Sequence, residues 1–107
     1  MKYSQWQEIL LKFRFYLEID RSLASITIRN YLIDLEHLYS FMEKNNLREF
    51  RDFNRNLIRR YLSWLIELGY VRRSVTRKLS TLRIFFSWLI KIGLLKNDHH
   101  LSLLVSV

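Results

Sequence analysis

The stretch SVTRKLSTLRIFFSWLIKI, residues 74–92, decides how the chain folds. On a wheel of about 100° per residue, one narrow apolar stripe runs along it, formed by Val75, Leu79, Leu82, Phe86 and Leu89. The opposite side is basic and polar in the first half, whereas the second half is apolar on nearly all sides. The pattern predicts a helix that is embedded at its C-terminal end and presents its N-terminal end to a partner.

Three further helices are predicted ahead of this one, over residues 4–19, 25–44 and 54–68. Asn54 and Ser74 are good N-caps for the third and fourth helices. Gly69 and Gly93 follow these two helices, where glycine supplies the left-handed residue of a C-cap. We expect an all-α fold, a compact bundle of four main helices in one domain over residues 1–107. Residues 98–107 form either a short fifth helix or a linker.

The composition excludes several classes of protein. With 107 residues and 50% hydrophobic side chains, the chain can bury one core and is not disordered. It has no cysteine, which excludes disulfides and zinc sites with cysteine ligands. No apolar run is long enough to span a membrane, and the N-terminus lacks the apolar core of a signal peptide. We therefore expect no membrane partner and a cytoplasmic location.

The positive charge lies in one half of the chain. Residues 1–50 carry seven basic and seven acidic side chains, whereas residues 51–107 carry eleven basic and three acidic ones. The whole net charge of +8 therefore belongs to the C-terminal half. Such a one-sided field favours a polyanionic partner, because binding releases condensed counterions.

The start of the fourth helix has the chemistry of a DNA contact. Its first turn offers unpaired backbone N–H groups, which favour a phosphate. Arginine can pair with phosphate or guanine, and hydroxyl groups can donate to phosphate. The candidate contacts here are Arg72, Arg73, Ser74, Arg77 and Ser80, with Thr76, Thr81 and Arg83 in support. No acidic residue lies between Glu67 and Asp98, which is unusual for a helix face that meets only solvent.

The start of the second helix offers a smaller candidate contact, formed by Thr27, Arg29 and Asn30. Further along that helix, His37 is expected to be exposed to solvent, and Arg59 and Arg60 are expected to be surface charges. The sequence contains no metal-ligand spacing, no glycine-rich phosphate loop and no nucleophile–histidine–carboxylate arrangement. We predict no catalytic residue, no metal and no cofactor.

Two of these segments carry a family resemblance. The run SVTRKLSTLRIFFSWL, residues 74–89, resembles the last long helix of the core-binding domain of tyrosine recombinases, the family of phage integrases and Xer-type resolvases. The run TIRNYLIDL, residues 27–35, is similar to that family's second helix through Thr27, Tyr31, Asp34 and Leu35. Two departures are Ala24, where the family usually has a capping serine, and Asp98, where it often has proline. At the first, either Ser25 caps the second helix or the cap is weaker.

The resemblance implies a SAM-like integrase N-terminal domain that binds duplex DNA. Members clamp a recombination half-site between this domain and a catalytic domain, which would follow residue 107 and carries the tyrosine nucleophile. The resemblance also implies contacts with other recombinase subunits in a DNA-bound tetramer. The 107 residues are then not an enzyme, and they are expected to be monomeric without DNA.

Two other functions fit the sequence. A helical protein-interaction module could meet an acidic partner with the same basic face, and Ile84 and Trp88 would then form an exposed apolar patch. An autonomous DNA-binding regulator is the other alternative, and it predicts stable dimers in solution.

Overall fold

The computed structural model describes residues 1–96, and four α-helices account for most of them. The helices are α1 (Tyr3–Phe15), α2 (Ser25–Lys44), α3 (Arg55–Glu67) and α4 (Arg72–Lys91). A π-helical turn, Tyr16–Asp20, extends α1, and a 3₁₀ turn, Phe50–Asp52, precedes α3. No β-strand occurs within these residues, so the predicted all-α bundle is confirmed. The predicted helix or linker over residues 98–107 lies outside the described residues.

The helix starts differ in their caps. Asn54 caps α3 as predicted, since its Oδ1 accepts a hydrogen bond from the Leu57 N–H at 2.9 Å. The prediction that Ser74 caps α4 is wrong, because the Val75 N–H already donates to the Val71 carbonyl at 3.1 Å. Val71 is the N-cap of α4, and Ala24 is the N-cap of α2. Neither side chain makes a capping hydrogen bond. Of the two alternatives for α2, the weaker cap is therefore correct.

Both glycines end helices as predicted. Gly69 has φ +95° and Gly93 has φ +81°, which is the left-handed region that glycine enters without steric cost. At the first, the Tyr70 N–H donates to the Leu65 carbonyl at 3.2 Å, and this bond closes the end of α3. The turn that follows places the start of α4 directly after α3.

The core is unusually rich in aromatic side chains, with Phe85 of α4 near its centre. This ring is fully buried and lies within 5.2–5.8 Å, centroid to centroid, of Trp6, Phe13 and Phe50. Trp88 packs on Phe13 at 5.1 Å and is 5% exposed. Most of the second half of α4 is thus embedded among α1 and the 3₁₀ turn, as the sequence pattern predicts.

None of the helices within residues 1–96 is both long enough and apolar enough to cross a membrane.

Candidate nucleic-acid interface

The first half of α4 presents basic side chains at an open helix end. Arg72, Arg73, Thr76 and Arg77 are exposed. The first turn contains no acidic residue, and Val71, which is 66% exposed, offers no capping oxygen. The backbone N–H groups of this turn and the helix dipole therefore add to the positive charge of the two leading arginines.

Behind this surface, α4 is joined to α2 by a group of polar side chains, three of them buried. We call it the Asp34 cluster, and its members are Asp34, His37, Tyr70, Arg77, Lys78 and Thr81. Asp34 is 2% exposed, and its Oδ1 accepts from Lys78 Nζ at 2.8 Å and from Arg77 Nη2 at 2.9 Å. Its Oδ2 accepts from Thr81 Oγ1 at 2.8 Å. Three donors from one helix thus converge on one carboxylate from another.

The charges in the Asp34 cluster are unequally exposed. The Lys78 and Asp34 side chains are 1% and 2% exposed, so they form a buried and mutually neutralised pair. The Arg77 side chain is 48% exposed, although one of its nitrogens contacts the same carboxylate. Two cations face one anion, and the unbalanced positive charge lies on the member that reaches solvent. This arrangement is suited to an anion arriving from outside.

His37 is part of this cluster, so the expected solvent exposure of its ring is wrong. Its Nδ1 lies 2.8 Å from Lys78 Nζ, and the Tyr70 hydroxyl lies 3.5 Å from the same nitrogen. An ammonium group can only donate, so Nδ1 accepts and carries no proton. Burial lowers the pKa of His37, the positive charges of Lys78 and Arg77 lower it further, and Asp34 opposes them.

The two helices advance in opposite directions where they meet. Asp34 contacts Thr81, whereas His37, one turn later on α2, contacts Lys78 and lies near Tyr70, which precedes α4. Along this contact, the earlier of the two α2 residues meets the later residue of α4, and the later one meets residues nearer the start of α4. Arg77 belongs both to the Asp34 cluster and to the contact predicted at the start of α4, so the cluster directly adjoins that predicted contact.

Most of the chain matches a known protein family. A family model described as the phage integrase, N-terminal SAM-like domain, matches residues 10–93. The chain belongs to this family.

Curated relatives of this integrase domain are tyrosine recombinases named XerC. The protein of Halalkalibacterium halodurans is 39% identical over 79 residues, which cover 74% of this chain and 25% of the relative. Those of Staphylococcus carnosus and Oceanobacillus iheyensis are each 35% identical, over 71 and 68 residues. These matches cover 66% and 64% of this chain and 24% and 22% of the relatives. The chain thus spans about a quarter of the length of the recombinases it matches. No solved structure gave a significant match.

The integrase domain distributes the predicted contact residues over three environments. Exposed positions hold Arg29, Arg72, Arg73, Thr76 and Arg77. Partly buried positions hold Thr27, Asn30, Ser74, Ser80 and Arg83. Thr81 is fully buried, and its hydroxyl donates to Asp34, so its predicted place on the contact surface is wrong. Ser80 donates its hydroxyl to the Thr76 carbonyl at 3.2 Å. Arg59 and Arg60 are exposed, as expected of surface charges.

Sequence reasoning missed the roles of Asp34 and Lys78. A signal was present, because Lys78 falls three residues after Val75 and four before Leu82, at the spacing of an apolar stripe. Asp34 lies in the same way three residues after Tyr31 and four before Leu38. Opposite charges at apolar positions of two helices indicate a buried ion pair, since an isolated buried charge is too costly. Within residues 1–96, no group of three or more histidine and acidic side chains could hold a metal ion.

Proposed function

We propose that this domain binds duplex DNA as part of a site-specific tyrosine recombinase. It would clamp one side of a recombination half-site while a separate catalytic domain exchanges the strands. Its membership of the integrase family supports this role, and so do the names of its recombinase relatives. The observation that carries the proposal is the exposed basic first half of α4. In this interpretation the 107 residues position DNA and catalyse no step.

The principal contact is formed by Arg72, Arg73 and Arg77. The first two lie within the uncapped first turn, where backbone N–H groups favour a phosphate oxygen. Arg77 lies one turn further along and is half-exposed. Thr76 is exposed beside them, and the partly buried Ser74, Ser80 and Arg83 have supporting roles.

A second contact is formed by the start of α2. Arg29 is exposed there, whereas Thr27 and Asn30 are partly buried. Ala24 supplies no capping oxygen, so this helix start also leaves backbone N–H groups without a side-chain partner. The Asp34 cluster joins α2 to α4 and includes Arg77 of the principal contact, so a duplex that reaches both contacts would span this pair of helices.

The assembly follows from the recombinase role. We expect the full-length protein to act as a DNA-bound tetramer and this domain to be monomeric without DNA. The protein-interaction alternative loses its apolar patch, because Trp88 is 5% exposed and packs on Phe13 and Tyr16. An autonomous regulator would instead form stable dimers, which sedimentation equilibrium of the free domain would detect.

Fluorescence anisotropy with a labelled duplex, repeated across a salt series, tests the proposal. The domain should bind at roughly micromolar concentration in physiological salt and more tightly as salt falls. The double variant Arg73→Ala/Arg77→Ala should bind more weakly. Its log–log salt slope should flatten by about 0.9 for each phosphate that the variant no longer neutralises.

The matched control is Arg55→Ala/Arg59→Ala, which removes the same charge from exposed positions of α3. This variant should retain most of the affinity. An absence of binding at low ionic strength, or an equal loss in both double variants, would rule out the proposed interface. Chemical-shift mapping adds a second measurement, since a duplex should perturb residues 72–83 and an unrelated acidic protein should not.

A further inference from the structure

Two basic side chains of the proposed DNA contact differ in how they are held. Arg73 is exposed and makes no side-chain hydrogen bond or ion pair with other residues in the range 1–96. Arg77 is also exposed, yet its Nη2 donates to the buried Asp34 carboxylate at 2.9 Å. The guanidinium is a rigid planar fork with several donors, so fixing one nitrogen restricts the direction of the others.

The Asp34 carboxylate is itself held rigidly. Its two oxygens accept from Lys78, Arg77 and Thr81 at 2.8–2.9 Å, and its side chain is 2% exposed. Because Thr81 occupies Oδ2 and Lys78 shares Oδ1, the carboxylate is anchored on both sides. Arg77 is therefore attached to a fixed point in the core and not to another mobile surface side chain.

The buried lysine changes what this attachment means for binding. An arginine paired with a lone aspartate would have its charge cancelled and would be a poor partner for phosphate. Here Lys78 lies as close to Oδ1 as Arg77 does, and it already balances the carboxylate. Arg77 keeps the hydrogen bond that orients it, while the cluster as a whole keeps one positive charge.

We propose that Asp34 is a positioning residue for DNA binding, which fixes the Arg77 guanidinium toward a phosphate or base, with Lys78 as its internal counter-charge. The proposal rests on the proposed function of the α4 surface. A long side chain loses rotamer freedom when it binds, and a side chain that is already restrained loses less. Arg77 should therefore contribute more to affinity than a free arginine at the same place.

A charge-neutral double variant, Asp34→Leu/Lys78→Met, removes the carboxylate that anchors Arg77 without changing the net charge. Sequence-independent electrostatic attraction stays the same, so a change in affinity reports on how Arg77 is held. A hydrophobic replacement of a buried ion pair is often tolerated by the fold, and thermal unfolding would verify this. Anisotropy with the same duplex should show affinity reduced about threefold to tenfold.

A double-mutant cycle separates positioning from a structural role. The neutral pair and Arg77→Ala are combined, and DNA affinity is measured for all four chains. Positioning predicts that the neutral pair costs affinity when Arg77 is present and almost nothing when Arg77 is replaced. Equal losses in both backgrounds would overturn the proposal, as would tighter binding, which would mean that Asp34 competes with DNA for Arg77.

A measurement on the unaltered chain does not depend on how the variants fold. The ¹⁵N relaxation of the arginine Nε–H groups in the free domain should give a higher order parameter for Arg77 than for Arg73. Equal order parameters for Arg77 and Arg73 would overturn the positioning role of Asp34 even if the domain binds DNA. Failure of the unaltered chain to bind the duplex would instead overturn the proposed function and the positioning role with it.

Discussion

The two halves of α4 differ in their environment: residues 72–81 are mostly polar and more exposed, whereas residues 82–91 are mostly apolar and more deeply buried. The first half exposes four polar or basic side chains and buries its other charge, Lys78, against Asp34. The second half buries five apolar side chains, among them Phe85 and Leu89, which are fully enclosed. One helix thus combines a core element with an exposed basic surface. The core half sets where the surface half points, and the Asp34 cluster lies at the boundary between them.

The largest effect should come from the embedded half. Phe85→Ala removes a ring that packs against several other aromatic side chains, so we expect a loss of about 3–5 kcal/mol in the free energy of unfolding. Urea denaturation would measure it. Ile66→Ala, at a position 62% exposed, should change stability by less than about 0.5 kcal/mol. If the two variants were equally stable, the aromatic core would not be what anchors α4.

The substitution Lys78→Met should cause a smaller loss in the free energy of unfolding. The Asp34 carboxylate keeps Arg77 and Thr81 as donors but loses its buried counter-charge, so we expect a cost of about 2 kcal/mol. Adding Asp34→Asn should recover most of this loss, because no buried charge then lacks a partner. Urea denaturation of both variants checks the order. If Lys78→Met alone were as stable as the original chain, Asp34 and Lys78 would not form a buried ion pair.

Adding a capping residue at the start of α4 should change the free energy of unfolding by about 1 kcal/mol. Val71→Ser and Val71→Asp both supply a capping oxygen and should stabilise the domain by about that amount. Their effects on DNA should differ, since the aspartate adds a negative charge beside Arg72 and Arg73. Thermal unfolding and anisotropy on both variants would compare them. Equal DNA affinities would indicate that no phosphate approaches this helix end.

The smallest effect should be a pH dependence from His37. Its pKa is lowered from the ordinary value of 6.5, first by burial and then by Lys78 and Arg77, while Asp34 opposes them. The unfolded chain then binds the proton more tightly, so this part of the stability is complete above pH 6.5 and is lost as the pH falls through the folded-state value. The Tyr70 hydroxyl also lies beside the ring, 3.5 Å from Nδ1.

The control for this prediction is His37→Gln, which retains an acceptor but cannot titrate. Stability of the original chain relative to this variant should decline below pH 6.5 and stay constant above it. Parallel pH profiles for the two chains would show that His37 is not coupled to Lys78.

Helix positions were predictable from the sequence because each helix has its own apolar spacing. Asn54 and Gly69 also mark the two ends of α3, and Gly93 marks the end of α4. The start of α4 was not predictable, since Ser74 is a good capping residue but the turn after Gly69 already places Val71 in an extended conformation. The local sequence indicated Ser74, a residue that can cap a helix. The path of the chain after Gly69 instead determines that α4 begins after Val71.

The candidate site was predicted less completely than the fold. The exposed arginines followed from the wheel, because an unpaired basic face is visible within one helix. The roles of Asp34, Lys78 and His37 depend on which turns of α2 and α4 meet, and a single helix does not contain that information. Thr81 was misplaced for the same reason, because only contact with α2 turns its hydroxyl into an internal donor.

The Asp34–Lys78 pair also limits how α4 can slide along α2. The two residues are 44 positions apart in the chain, so their contact forms only when the helices are correctly aligned. A slip of one turn would separate the ammonium of Lys78 from the Asp34 carboxylate and leave two buried charges apart. An apolar interface alone tolerates such a slip far better than an unpaired charge does. The pair thus favours one alignment of the two helices, and with it one fixed spacing between the exposed arginines of α4 and the side chains of α2.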